Sequence, residues 1–250
     1  MSALELVVLS LRYSSWSIRP WLALHAAGAR FETRTAQVPD LGVQTLGAAG
    51  MESSGGADSL RARRGQGSVT GLFPVLRVDG VPIHEALAIC EWVAEAYPEA
   101  GLWPDDPIER AQARSISCEM ATGFGRIRSN MSCHVFGRVE GYEPDAATQT
   151  QIDRVFEIWQ ERLDRSGGPF LFGRFGIPDC MYFPMLTRFV TYGVELAAPL
   201  RAYSRAMCAH PSVAALLEVA RRAPAVPPYD AYLRSLGGDP DGILGGKRTR

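Results

Sequence analysis

The chain has 250 residues, with 26 Lys and Arg against 27 Asp and Glu and a net charge of −1. That balance offers no basic stripe to a phosphate backbone and excludes nucleic acid as a partner. Five cysteines, odd in number and never spaced Cys-x-x-Cys, exclude a disulfide framework and a zinc site and suit a reducing, cytoplasmic setting. No apolar run approaches the roughly 20 residues of a membrane span, and residues 1–5 lack the basic start of a secretory leader. The expectation is a soluble protein with no membrane partner, long enough for one large core or two small ones.

Residues 4–11 (LELVVLSL) are β-branched in the middle and almost all apolar, which predicts a strand buried on both faces. From Trp16 to Ala29 the spacing of Ile18, Trp21, Leu22 and Leu24 predicts a helix closed near Gly28. Proline lacks an N–H and is least costly in a first turn, so Ser17 is expected as N-cap with Pro20 at the third helical position. Residues 31–38 alternate and predict a second strand, giving a parallel strand-helix-strand unit. Residues 39–71 are rich in Gly, Ser and Ala, with Arg61, Arg63 and Arg64 as their charge cluster, and read as a long flexible excursion containing one helical turn. Residues 73–78 and 81–84 flank Asp79-Gly80 and predict a hairpin, and a helix runs from Glu85 to its stop at Pro98.

Beyond the Pro-rich linker near 100 the pattern changes to helices without strands. One is expected over 108–131, and a second carries Ile152, Val155, Phe156, Trp159 and Leu163 at helical spacing. Others follow Pro178-Asp179, span 200–208 and follow Pro211. The domains expected are therefore 1–99 and an all-helical 105–235, with a Gly-rich tail over 236–250 read as disordered.

Taken by local sequence alone, Ser14, Ser15 and Ser17 satisfy the N–H groups of a loop and a helix start. Glu85 complements a helix dipole, and the three arginines face solvent. Cys133 and His134 are adjacent on a helix, about 100° apart, and form no ready dyad. Cys90, Cys118, Cys180 and Cys208 lie among apolar helical positions and read as core.

Four segments together resemble the cytosolic glutathione S-transferase family, in its bacterial, serine-type, zeta-like form. They are YSSWSIRPW at 13–21, FPVL at 73–76, HEALAI at 84–89, and PFLFG through IPD at 169–179. The resemblance covers nearly the whole chain. It implies a thioredoxin-like N-terminal domain followed by an all-helical transferase domain, glutathione as substrate or cofactor, no metal, and a homodimer. The reaction implied is addition of glutathione to a small hydrophobic electrophile, or its use as cofactor in an isomerisation of the maleylacetoacetate kind.

The same resemblance assigns residues. Ser14 is the expected thiolate donor, with Ser15 second; Trp16 and Trp21 are candidate walls of the site by their chemistry, at a position where packing is the commoner role. Phe73 would pair its backbone with the ligand beside a cis-Pro74. Glu85 would hold the ligand's ammonium group, and Ala86 stands where the family has Ser, so only its backbone N–H meets the γ-glutamyl carboxylate. Cys133 and His134 fall where the family lines its electrophile pocket. Gly176 replaces a capping Ser or Thr and is expected to leave Asp179 without its reciprocal partner. Ala86 and a connection over 45–70 longer than the family's motivate a rival reading, a non-catalytic binding or regulatory protein on the same fold. A thiol-disulfide oxidoreductase is disfavoured, because residues 14–17 hold no cysteine.

Overall fold

A computed structural model describes residues 2–38 and 56–243. Four strands form one mixed sheet in the order β2-β1-β3-β4: β1 (Leu4–Val8), β2 (Glu32–Thr35), β3 (Val75–Val78) and β4 (Val81–His84). Strand β2 runs parallel to β1, reached through α1 (Ser15–Ala26), and β3 and β4 are antiparallel neighbours. The Asp79-Gly80 turn has φ of 50° and 86°, the left-handed pair that a two-residue hairpin needs. Helix α2 (Gly56–Gly65) and α3 (Ala86–Ala96) complete this thioredoxin-like part. Helix α2 corrects the expectation of a single helical turn over 39–71. Residues 39–55 of that excursion lie outside the described residues, as do 244–250 of the expected tail.

The remainder is helical: α4 (Pro107–Thr122), α5 (Gly125–Asn130), α6 (Ala146–Ser166), α7 (Ile177–Thr191), α8 (Ala198–Ala209), α9 (Pro211–Arg222) and α10 (Pro227–Ser235). The single helix expected over 108–131 is broken, because Gly123 is extended and Phe124 takes a left-handed φ of 60°, which no helix continues through. Helix α10 is an addition to the expected set. No helix of the described residues is long and apolar enough to cross a membrane.

Helix α7 is buried along almost its whole length and packs against both α1 and α4, so the core is continuous between sheet and helices. At its start Asp179 accepts from the backbone N–H of Gly176 (3.0 Å) and of Leu171 (3.2 Å). The N3 half of a capping box therefore survives without a side chain at the cap. Glycine is required there: a Cβ on Gly176 would stand 2.6 Å from the Leu102 carbonyl, which accepts the Ile177 N–H. Cys90 and Cys180 are buried as expected, but Cys118 and Cys208 are exposed, since each falls on the outer face of its helix.

Residues 236–243 correct the expectation of a disordered tail. The Arg138 and Asp239 backbones exchange two hydrogen bonds of 2.8 Å, and the Ile243 N–H donates to the Phe136 carbonyl. Arg12 binds the Pro240 carbonyl and, at 2.6 Å, the Asp241 carboxylate. A polar composition did not prevent docking because backbone pairing, rather than apolar burial, holds this segment.

Candidate active site

Sheet register brings three loops to one end. Val7 pairs with Val75, and Val75 with His84, so the chain leaving β1, the approach to β3 and the start of α3 lie side by side. Ser14 is on the first, the cis peptide Phe73–Pro74 on the second, and Glu85 and Ala86 on the third.

Ser14, rather than Ser17, is the N-cap of α1, and Pro20 lies inside the helix, correcting the expected start. There the proline costs the Trp16 carbonyl its helical donor. Ser17 is freed for another role. The Leu9 N–H donates to Ser17 Oγ at 3.2 Å, and Ser17 Oγ donates to Ser14 Oγ at 2.9 Å; the Ser17 N–H lies 3.4 Å from the same oxygen. A hydroxyl carries one proton and two acceptor sites. Both acceptor sites of Ser14 face Ser17, so its own proton remains for a group outside the helix, and each bond in such a chain polarises the next. Among the described residues nothing accepts that proton. Replacing Ser17 with alanine should therefore lower any Ser14-dependent turnover by about tenfold, a partial loss of one donor's strength, with protein stability read separately by thermal melting.

At α3, Glu85 is exposed, with φ 68° and ψ 129°, and its side chain makes no capping bond. A non-glycine residue held there costs about 1 to 3 kcal/mol and marks a site where geometry matters. The first turn of α3 holds no acidic residue, and Ala86 is buried without a hydroxyl, so the helix start presents N–H groups and partial positive charge with no side-chain anion to meet them.

The other expected residues fall differently. Ser15 is buried, its Oγ 3.5 Å from Arg188 Nη2, and so lies behind the Ser14 surface. Trp16 is half-buried, with the Arg19 guanidinium 4.3 Å from its ring centre. Cys133 is buried against Thr187, Sγ to Oγ1 3.8 Å. His134 is fully buried, its Nε2 2.9 Å from Asp230 Oδ1, and this carboxylate also accepts from Tyr13 O–H at 2.9 Å. Burial holds the His134 imidazolium below its ordinary pKa despite that carboxylate, and burial followed by the Asp230 bond pushes the Tyr13 phenol up. Cys133 and His134 lie in the loop after α5, which ends at Asn130, rather than on the expected helix, which Gly123-Phe124 breaks; they sit one layer behind the loop of Ser14. Of the loop arginines, Arg61 is exposed beside Asp58, whereas Arg63 is buried and bonds Ser59 and the Gly71 carbonyl. Among the described residues no group of His, Cys, Asp and Glu could hold a metal ion.

Sequence reasoning passed over Tyr13, Asp230, Arg19 and Arg188. The one available signal was Arg19, a charge between the apolar Ile18 and Trp21.

The chain matches the family models for the glutathione S-transferase N-terminal domain over residues 13–96 and the glutathione S-transferase C-terminal domain over 140–218, together about two thirds of its length. It belongs to the glutathione S-transferase family. Among curated relatives, a probable maleylacetoacetate isomerase of Caenorhabditis elegans is 50% identical over 51 residues, 20% of this chain and 24% of that protein. The maleylacetoacetate isomerase of Rattus norvegicus is 29% identical over 125 residues, 50% of this chain and 56% of that protein. The chain thus spans about half the length of these curated relatives or less. A solved glutathione transferase homolog from Burkholderia with bound glutathione shares the fold, with TM-score 0.63, 21% identity, and coverage of 88% of this chain and 98% of that one.

Proposed function

We propose that this protein is a serine-type glutathione transferase that binds glutathione across the sheet end and either adds it to a small electrophile or uses it as cofactor for an isomerisation. The Leu9–Ser17–Ser14 chain carries the reading, because it ends in a serine proton with no protein acceptor among the described residues. A free thiol near pKa 8.5 leaves only a few per cent ionised at neutral pH, roughly. A donor aimed at sulfur from a helix N-terminus favours the anion without a general base. The γ-glutamyl carboxylate lies on the start of α3, its ammonium group beside Glu85, and its cysteinyl backbone along Phe73. The matches to proteins named maleylacetoacetate isomerase support the isomerase branch. Homodimeric assembly and a cytoplasmic setting accompany this proposal as properties of the family.

Ala86 is what favours the rival, a binding protein without turnover, and it also supplies the test. Restoring the hydroxyl with Ala86→Ser adds a hydrogen bond to a charged group, about 1.5 to 3 kcal/mol or one to two decades in affinity. Calorimetry should show glutathione binding in the parent chain and tightening of at least about tenfold in the variant. No change in affinity on restoring the hydroxyl, or no binding in either protein, would favour the rival.

A further inference from the structure

Arg12 and Tyr13, the two residues before Ser14, are held by a late part of the chain. Tyr13 is buried, and its hydroxyl donates to Asp230 Oδ1 on α10 at 2.9 Å, across 217 residues of sequence. Arg12 is buried beside it and bonds the Pro240 carbonyl and the Asp241 carboxylate in the segment after α10. His134 brings its Nε2 to within 2.9 Å of the same Asp230 oxygen, and the N–H of the next residue, Val135, donates to the Arg12 carbonyl at 3.1 Å. An ionised carboxylate only accepts, so Nε2 carries the imidazole proton. Nδ1 is buried with no partner among the described residues. The Tyr13 ring stands edge-on to His134, centres 4.8 Å apart, and is tilted against Tyr229 at 5.2 Å. Asp230 lies beyond residue 218, where the matched C-terminal family domain ends.

A buried carboxylate is a poor source of stability, because well-packed apolar groups of the same volume do as well or better. What it supplies is direction. Asp230 collects two donors, and burial keeps both in their donating forms at neutral pH, His134 neutral and Tyr13 protonated. Ser14 is fixed from within the loop by its N–H bond to the Ser10 carbonyl at 3.1 Å and by Ser17 at its Oγ. From outside, it is fixed through its neighbour Tyr13. One peptide unit joins them, so any movement of Tyr13 carries Ser14 with it, and a misplacement of about 1 Å at a reacting group costs on the order of 100-fold.

We infer that Asp230 is a positioning residue for the proposed reaction: through the Tyr13 hydroxyl it latches the loop of Ser14 to α10 and so keeps the serine proton aimed at the thiol sulfur. This rests on the transferase reading and deepens it. Asp230 is buried behind the loop and acts only through Tyr13. His134 serves the same latch rather than a substrate pocket, because its N–H keeps the Asp230 oxygen turned towards the loop.

The test follows the ultraviolet signal of bound glutathione thiolate across pH in the full chain and three variants. Tyr13→Phe keeps the packed ring and removes only the oxygen. It should move the bound thiol's titration back towards the free value of about 8.5, while glutathione affinity by calorimetry falls by less than about tenfold because the ligand's other contacts are untouched. Asp230→Ala should do the same, and Asp230→Asn, whose amide oxygen accepts from the same two donors, should restore the parent titration. A thiol that titrates as in the parent in both Tyr13→Phe and Asp230→Ala, with only the melting temperature lowered, would overturn the inference, as would failure of Asp230→Asn to restore it. Tyr13→Phe carries the test alone if Asp230→Ala does not fold. Hydrogen exchange at the Ser14 N–H reads the latch without glutathione. Faster exchange in Tyr13→Phe, where the parent takes up no glutathione, would sustain the latch and remove the transferase reading. A glutathione thiolate in the parent that the variants leave unmoved would do the opposite.

Discussion

Ser14→Ala should cut glutathione-dependent turnover by roughly 100- to 1000-fold, the loss typical of removing one preorganised donor to a developing anion. Ser14 is the end of the Leu9–Ser17–Ser14 chain and the group in it whose proton is left over. Its removal also uncaps α1, which costs about 1 kcal/mol of stability. Activity should therefore be compared at a temperature where melting shows both proteins fully folded. Ser15→Ala serves as the contrast. Its hydroxyl lies behind the surface against Arg188, so its loss should lower turnover by less than about tenfold. A result in which Ser15→Ala is the more damaging change would move the thiolate donor by one residue and displace Ser17 from its supporting role.

Asp179→Ala should be strongly destabilising, by about 3 to 4 kcal/mol in urea unfolding, because it orphans two buried backbone donors at once. Those donors are the N–H groups of Gly176 and Leu171, and no other side chain is placed to satisfy the helix start, since Gly176 contributes none. The pH dependence has a definite sign. Burial pushes the folded-state carboxyl up to about 7 from its ordinary 3.8, so the folded chain holds this proton more tightly than the unfolded one. The stability it contributes is fully present below pH 3.8 and is lost as pH rises through about 7. Asp179→Asn lacks this titration, so its deficit relative to the parent chain should be smaller at pH 8 than at pH 5.

The sheet and its order of elements were legible because their signals are local. Alternation, the Asp79-Gly80 turn and the apolar run of β1 each determine a few neighbouring residues. The start of α1 lies three residues before the one its proline predicts. Proline preference placed the cap at Ser17, but Ser17 is bonded to Leu9 and Ser14, partners visible only once β1 and α1 are packed together. The break at Gly123-Phe124 left no apolar interruption in the sequence, and the docked segment 236–243 is held by backbone pairing, which composition does not record. The candidate site divides in the same way. Ser14, Pro74, Glu85 and Ala86 stood out through short motifs. Tyr13 and Asp230 are 217 residues apart along the chain, and their contact exists only in three dimensions. Cys133 and His134 were conspicuous as a pair of reactive residue types, yet Thr187 and Asp230, from two different helices, are what surround them.

In the proposed reaction the Ser14 hydroxyl, backed by Ser17 and the start of α1, holds glutathione as a thiolate. Ultraviolet difference absorbance of the thiolate, followed across pH with glutathione bound to the purified protein, measures this directly. The bound thiol is expected to titrate below the free value of about 8.5, with the signal moving back towards that value in Ser14→Ala. A bound thiol that titrates like the free one, or no binding at millimolar glutathione, would contradict it.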